Sequence, residues 1–452
     1  MSEANPSATP TAIHFVSLGC PKNTVDTERM AGLARRQGLR FSPAAAEAEV
    51  IVINTCGFIE AARQESIETI VELAQHKHEG RCRLLLVAGC LAQRYPEELA
   101  RELPEVDAFV GTADLGRLAA ILEQRDLRVA ERSAVGPAEG LAEADYAREL
   151  CGPAHSAYLK ISEGCNRPCA FCAIPLMRGR QRSRSVASLV AEAETLVARG
   201  ARELILVAQD STAYGRDLPR GEADLLQLLA ALDGVAGLHW LRVHYAYPSL
   251  VTTALAEQMA RLPRVVHYLD LPIQHVDDEV LRRMRRGYGA VQVRQALAAL
   301  RAAMPAVAIR STLLVGHPGE TDEAHRRLCE FVSEAEIDHL GAFVFSPEEG
   351  TSAATQGDAV PAELAAERRD ELMALQRTIS RRRLQRLRGQ VLEVMIDGVS
   401  EESELLLTGR HAGQSPGIDG AVILADASGA PGTLVRARVE GTSDYDLVAR
   451  AV

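Results

Sequence analysis

The decapeptide Glu163-Gly164-Cys165-Asn166-Arg167-Pro168-Cys169-Ala170-Phe171-Cys172 decides how the rest of the chain is read. It places three cysteines at C-x3-C-x2-C spacing directly after a strand-like run, Ala157 to Ser162. Thiolates are soft ligands that suit zinc or an iron–sulfur cluster. Structural zinc takes four protein ligands, and no fourth Cys or His lies nearby in the sequence. Three ligands on one loop leave one iron of a 4Fe–4S cluster open to a small molecule. A zinc site and three unliganded thiols are the weaker readings.

Working outward toward the C-terminus, strand-like runs recur at Leu204 to Val207, Leu241 to Tyr245, Val265 to Leu269, Ala308 to Leu314 and Gly341 to Phe345. Helical patterns near 186–199, 222–233, 249–261, 290–303 and 321–335 separate them. Six β/α units predict a partial (β/α)6 barrel whose active site faces the carboxyl ends of the strands. An Arg-rich helix follows over about 361–388, and the lone Trp240 is expected in the core. The last 64 residues turn to short apolar runs parted by Gly, Ser, Pro and Asp: Val391 to Ile396, Leu405 to Thr408, Ala421 to Leu424, Thr433 to Val439 and Tyr445 to Val448. These predict a small C-terminal β-barrel of OB-like size.

Toward the N-terminus, residues 11–125 alternate apolar runs (Ile13 to Leu18, Val50 to Ile53, Leu84 to Ala88, Ala108 to Val110) with helical patterns near 24–37, 60–76, 96–103 and 113–123, as a doubly wound α/β domain does. Cys20, Cys56 and Cys90 each follow one of those runs, so an α/β sheet would gather all three at its carboxyl edge, where ligands bind. Any one of them alone reads as a buried thiol. Cys82, Cys151 and Cys329 read as structural or incidental. The domain boundaries expected are a flexible tail over 1–10, the α/β domain over 11–125, a linker over 126–150 with a short strand at Leu127 to Ala130, the barrel domain with its trailing helix over 151–385, and the terminal β-domain over 386–452.

The chain has 452 residues, a formal net charge of -11 and 47% hydrophobic residues. Its mean hydropathy is -0.04 and its pI about 5.7. An acidic balance opposes a surface that grips nucleic acid throughout. No apolar run has the roughly 18 residues of a membrane span, and the first residues lack the basic and apolar segments of a signal peptide. A soluble cytoplasmic protein is expected, and nine cysteines in that reducing setting favour metal ligation or catalysis over disulfides.

The C-x3-C-x2-C motif with Phe171 before its last cysteine resembles the radical S-adenosylmethionine (SAM) superfamily. Combined with the three separated cysteines and the terminal β-domain, which resembles TRAM modules, the chain from about 11 to 449 resembles the methylthiotransferases. That resemblance implies two 4Fe–4S clusters, one on Cys165, Cys169 and Cys172 and an auxiliary one on Cys20, Cys56 and Cys90, with SAM as both radical source and methyl donor. Ser17-Leu18-Gly19-Cys20-Pro21-Lys22-Asn23, Pro175-Leu176-Met177-Arg178-Gly179, Ala208-Gln209-Asp210-Ser211-Thr212 and Asp270-Leu271-Pro272-Ile273-Gln274-His275 are similar to the RimO branch, which modifies an aspartate of small-subunit ribosomal protein twelve. Thr24 and His317 depart from the family's usual leucine and aromatic. Phe171, Gln209, Asp210, Arg242 and Gly316 are the expected SAM contacts, although an Arg or Gln on a strand serves a salt bridge or turn equally well.

The same resemblance implies a reductant such as flavodoxin or ferredoxin, a sulfur donor, and no membrane. Residues 389–452 carry four arginines, no lysine and ten acidic residues, a net of -6. Such a module repels phosphate and attracts a basic protein, so tRNA is disfavoured as substrate; a merely solvated acidic face is the plainer reading. The cluster Arg381, Arg382, Arg383, Arg386 and Arg388 reads as a solvated helix face, with ribosomal RNA contact as the alternative. Two other functions stay open: a tRNA adenosine methylthiotransferase of the MiaB type, and a non-catalytic iron–sulfur docking protein.

Overall fold

The computed structural model describes residues 11–124, 132–133, 135–139, 148–219, 221–401 and 403–452. The chain forms two compact units: one takes it to Cys151 together with 163–166 and 172–182, and the other holds 152–162, 167–171 and 183–452. The short strand expected at Leu127 to Ala130 falls outside the described residues.

The first unit is built on five strands, β1 (Ala12–Ser17), β2 (Arg40–Phe41), β3 (Val50–Thr55), β4 (Leu84–Gly89) and β5 (Ala108–Val110), in the order β2-β1-β3-β4-β5. Every pairing is parallel. Alternation sends Ile51, Ile53, Leu85, Val87 and Phe109 into one core and Ile13, Val50, Val52, Leu84 and Leu86 into another. A parallel sheet covered on both faces needs such near-continuous apolar strands. All strands run the same way, so their carboxyl ends share one edge.

In the second unit β6 (Ser156–Lys160), β7 (Glu203–Val207), β8 (Trp240–Val243), β9 (Val265–Asp270), β10 (Ala308–Val315) and β11 (His339–Val344) form one six-stranded parallel sheet in sequential order, the partial barrel expected. Five more strands close into a small barrel in the order β12-β13-β14-β16-β15: β12 (Val391–Ser400), β13 (Ser403–His411), β14 (Val422–Ala425), β15 (Leu434–Thr442) and β16 (Leu447–Ala451). Inward residues two apart fill it, among them Val394, Ile396, Val422, Leu424, Ala437 and Val439. Helices Cys90–Arg94, Ile174–Arg178 and Asp278–Arg283 had no expectation from sequence. Five or six residues are too few to show a 3.6-residue period.

Within the second unit, the small barrel sits against the amino-terminal ends of the parallel strands through buried charges. Glu203, at the start of β7, accepts from Arg242 Nε at 2.8 Å and pairs with Arg410 Nη1 at 2.8 Å. Arg242 Nη1 also donates to the Ala412 carbonyl at 2.9 Å. Asp419 accepts from Tyr268 Oη at 2.8 Å and from Arg310 Nη1 at 2.7 Å. Trp240 packs with Val266, Tyr268, Ala308 and Met395 of the small barrel, so it is core as expected.

Burial opposes ionisation of Glu203 and Asp419, but Arg242 and Arg410 on the one, and His339 and Arg310 on the other, hold both carboxyls below their ordinary values of 4.5 and 3.8. Groups so depressed contribute stability that is complete above those values and is lost as pH falls through the still lower folded ones. The melting temperature of the protein should therefore hold steady from pH 7 to about 5.5 as far as these groups act, then fall below about pH 4.5. Glu203→Gln breaks the pair of the buried Arg242, while Arg410 keeps Asp397; it should cost about 3 kcal/mol at pH 7, measured by urea denaturation, and a loss under about 1 kcal/mol would show that the Glu203 ion pairs do not seat the barrel.

Candidate functional site

The carboxyl edge of the first sheet collects the three separated cysteines because β1, β3 and β4 are neighbours and parallel. Cys20 caps the helix Pro21–Arg36, Cys56 follows β3 directly, and Cys90 opens the helix Cys90–Arg94 after β4. Gly19 stands at φ +88°, and a Cβ there would come 2.7 Å from Cys56 Cβ and 3.1 Å from Cys56 Sγ. Only glycine lets these two turns approach. Gly89 plays the same part before Cys90, where a Cβ would meet Asn54 Oδ1 at 2.2 Å.

Asn23 stitches the turns together. Its Nδ2 donates to the carbonyls of Leu18 at 2.9 Å and Thr55 at 3.0 Å, while Asn54 Nδ2 donates to the Asn23 carbonyl at 2.8 Å.

Over this edge lies Arg178, 2% exposed. Its Nη1 donates to Asp26 Oδ2 at 2.6 Å and Glu163 Oε2 at 3.1 Å, its Nη2 to Asn23 Oδ1, and its Nε to Cys90 Sγ at 3.3 Å. Burial pushes the Cys90 thiol up to about 11, with Cys20 and Cys56 adding to the rise and Arg178 offsetting it. Each of the other two thiols is thus near enough to act on Cys90. Burial also opposes ionisation of Cys20, but Lys22, Arg178 and the N–H groups of the helix start bring its thiol below the ordinary value. A buried cation among three thiols, none in a disulfide, suits an anionic thiolate-bound cluster.

The decapeptide is held at several of its residues. Cys165 N donates to the Gly179 carbonyl at 3.1 Å, and Ala170 N to the Met284 carbonyl at 2.9 Å. Cys169 Sγ accepts from Arg286 Nη1 at 3.2 Å. Arg286 is buried, bonds Tyr288 Oη at 2.8 Å and the Pro272 carbonyl at 3.0 Å, and lies 4.4 Å from the Tyr247 ring centroid. Burial works against its charge, yet Tyr288, Cys169 and Tyr247 keep it firmly protonated. Each cysteine set therefore has one buried guanidinium donating to one of its sulfurs.

The five residues expected at SAM divide. Phe171 packs with Val280, Met284, Ala324 and Leu314 and meets His317 edge-on, centroids 6.5 Å apart. Asp210, beyond the carboxyl end of β7, accepts from Arg167 Nε at 2.7 Å, Thr212 Oγ1 at 2.6 Å and Ala213 N at 3.1 Å. It thus orients the arginine inside the motif, which lies 3.8 Å from the Tyr247 centroid. Gln209 beside it is half-buried. Gly316 follows β10 at φ +76°, where a Cβ would come 2.5 Å from Ala365 Cβ, and its N–H goes to Glu320.

Arg242 is the correction. Its side chain is fully buried and committed to Glu203, Ala412 and the Tyr268 ring at the amino-terminal ends of the strands. A mid-strand arginine reads the same from sequence whichever end of the sheet its side chain serves.

Arg178 and Arg286 were not assigned roles from sequence. Arg178 had at most a weak signal, as the first of the charges that end the apolar run Ile174 to Met177; Arg286, in Arg282-Arg283-Met284-Arg285-Arg286, had none. His317 substitutes as a ring: it is fully buried, 5.2 Å from the Phe345 centroid, and burial drives its pKa down to about 4, so it stays neutral.

Residues 12–111 match the Uncharacterized protein family UPF0004, residues 159–332 the Radical SAM superfamily, and residues 389–452 the TRAM domain. The chain is 50% identical over 442 residues to the ribosomal protein uS12 methylthiotransferase RimO of Sorangium cellulosum, spanning 96% of this chain and 90% of that protein. It is 47% identical over 440 residues to RimO of Geobacter sulfurreducens, covering 97% and 98%. Among solved structures, the radical SAM methyltransferase TsrM from Kitasatospora setae shares the fold at 16% identity, with TM-score 0.58 over 76% of this chain and 77% of that one.

Arg178→Met removes the guanidinium that pairs with both Asp26 and Glu163 at this edge. Breaking these buried pairs from the arginine side should cost about 3–5 kcal/mol, read from anaerobic urea unfolding, with Arg178→Lys recovering part of it. An unchanged midpoint would mean that Arg178 does not hold this edge.

Proposed function

The chain belongs to the RimO family of ribosomal protein uS12 methylthiotransferases, and from that membership we propose that it adds a methylthio group to the β-carbon of an aspartate on that protein. It is a radical SAM enzyme. A 4Fe–4S cluster with SAM would supply the one-electron chemistry needed to take hydrogen from an unactivated carbon.

In this proposal Cys165, Cys169 and Cys172 hold that cluster, and Arg286 keeps a positive charge against Cys169. Phe171, Gln209, Asp210 and Gly316 belong to the SAM pocket at the carboxyl ends of the strands, with Asp210 acting through Arg167. Arg242 serves the base of the sheet instead. Cys20, Cys56 and Cys90 hold the second cluster, from which sulfur is delivered, and Arg178 balances the negative charge that three thiolates would bring into a buried edge. The single observation that carries the reading is the convergence of those three thiols on three neighbouring parallel strands under one buried arginine.

The acidic terminal domain favours a basic protein substrate over tRNA, in keeping with its net of -6 over residues 389–452. A reductant of the flavodoxin or ferredoxin class and a sulfur donor complete the reaction in the cytoplasm. Among the described residues no helix is long and apolar enough to cross a membrane.

The test is anaerobic incubation of the reconstituted protein with SAM and reductant in the presence of both uS12 and unmodified tRNA, followed by peptide and nucleoside mass spectrometry. The methylthio increment should fall on an aspartate peptide of uS12. Replacing Cys165, Cys169 and Cys172 together by Ala should abolish 5′-deoxyadenosine formation. Replacing Cys20, Cys56 and Cys90 should leave that formation in place, halve the bound iron and abolish the increment. An increment on the nucleoside alone would overturn the substrate assignment; full iron in the second variant would overturn the auxiliary site.

A further inference from the structure

The helix Asp322–Ala335 carries His325 and Cys329 one turn apart, so their side chains share a face. The helix Ala362–Gln385 presents Glu371 to the same point. His325 Nε2 lies 2.9 Å from Glu371 Oε2 and 3.5 Å from Cys329 Sγ, and one ligand atom from each of the three residues falls within 4.8 Å of the others. Zinc bonds of about 2.0–2.1 Å to nitrogen and 2.3 Å to sulfur at a tetrahedral angle put those two atoms about 3.5 Å apart. The spacing already found is that of a zinc coordination edge.

Two further features point the same way. His325 is 7% exposed, and its buried Nδ1 has no hydrogen-bond partner; it faces Glu320 Oε1 at 3.8 Å. A carboxylate behind the second ring nitrogen is the usual support of a metal-bound imidazole, because it leaves the other nitrogen free to ligate. Glu320 itself is held by Arg368, by His275 and by the Gly316 N–H.

The surroundings of Cys329 are also anionic. Burial together with Glu371, Glu320 and Glu330 pushes its thiol up to about 11. The nearby arginines are spoken for, Arg326 by Glu323 and Glu330, and Arg368 by Glu320 and Asp322. What this cluster of donors lacks is a cation.

We propose that His325, Cys329 and Glu371 form a zinc site, closed by a water molecule, that clips the helix Asp322–Ala335 to the helix Ala362–Gln385. Cys329 is then a ligand and not an incidental thiol. The proposal does not depend on the assignment of either cysteine set.

The experiment uses the full chain with its iron–sulfur content reconstituted, so that zinc is not scavenged by empty cluster cysteines. Zinc titration by calorimetry should give one site per chain and release about one proton at pH 7.5, since a thiol that titrates near 11 loses its proton on ligation. Zinc-edge X-ray absorption should show a shell of one sulfur with nitrogen and oxygen, and bound zinc should raise the melting temperature. Cys329→Ser should abolish the proton release and weaken binding about tenfold or more. Glu371→Gln, at a position 65% exposed and safe for folding, should weaken binding without changing the sulfur count. No binding, a shell of three or four sulfurs, or zinc binding indifferent to Cys329→Ser would each overturn the proposal.

Discussion

A buried guanidinium is tolerable only if every charge it faces is opposite and every proton it carries has an acceptor. Arg178 meets that condition through Asp26, Glu163, Asn23 and the Cys90 sulfur. Much of the first unit follows from this one constraint. Arg178 ties the segment after the decapeptide to the sheet edge, and Ala173, Ile174 and Met177 pack against Cys90 and Phe58 beside it. Asn23, which accepts from Arg178, is also the residue that joins the turns carrying Cys20 and Cys56. The charge that organises the edge is therefore the charge that three thiolates would need there.

The second unit solves a related problem at each end of its parallel strands. At the amino-terminal end, Asp419 from the loop between β13 and β14 and Arg410 of the small barrel meet Arg310 and Glu203 of the strands in a buried ionic seat. At the carboxyl end, Asp210 and Arg286 position the motif instead: one holds Arg167, the other donates to Cys169. A parallel sheet leaves its strand termini unlike one another, and the chain uses one end for anchorage and the other to hold the segment around Arg167 and Cys169. The small barrel thereby acts as part of the enzyme's frame as well as an acidic surface.

Departures from the expected pattern have local physical explanations. His317 stands where an aromatic is usual, yet it is buried between Phe171 and Phe345 and burial keeps it neutral. It fills the place as a ring. Gly316 stands at φ +76° with Ala365 of the helix Ala362–Gln385 where a Cβ would go, so packing alone already requires glycine in the turn after β10.

Alternating apolar runs, glycines at the ends of strands and the spacing of six cysteines are local properties, so the sequence by itself determined the three-part architecture, the parallel sheets and the convergence of Cys20, Cys56 and Cys90. Which end of a strand a side chain serves, and which distant charge it meets, are not local. Arg242 went to Glu203 and Ala412, Arg178 to residues as far back as Asn23, and Arg286 to Cys169 across 117 positions. His325, Cys329 and Glu371 likewise come together only when two helices pack. Only the tertiary structure decided these, because the energy of a buried charge depends on its neighbours in space and no periodicity in the chain encodes them.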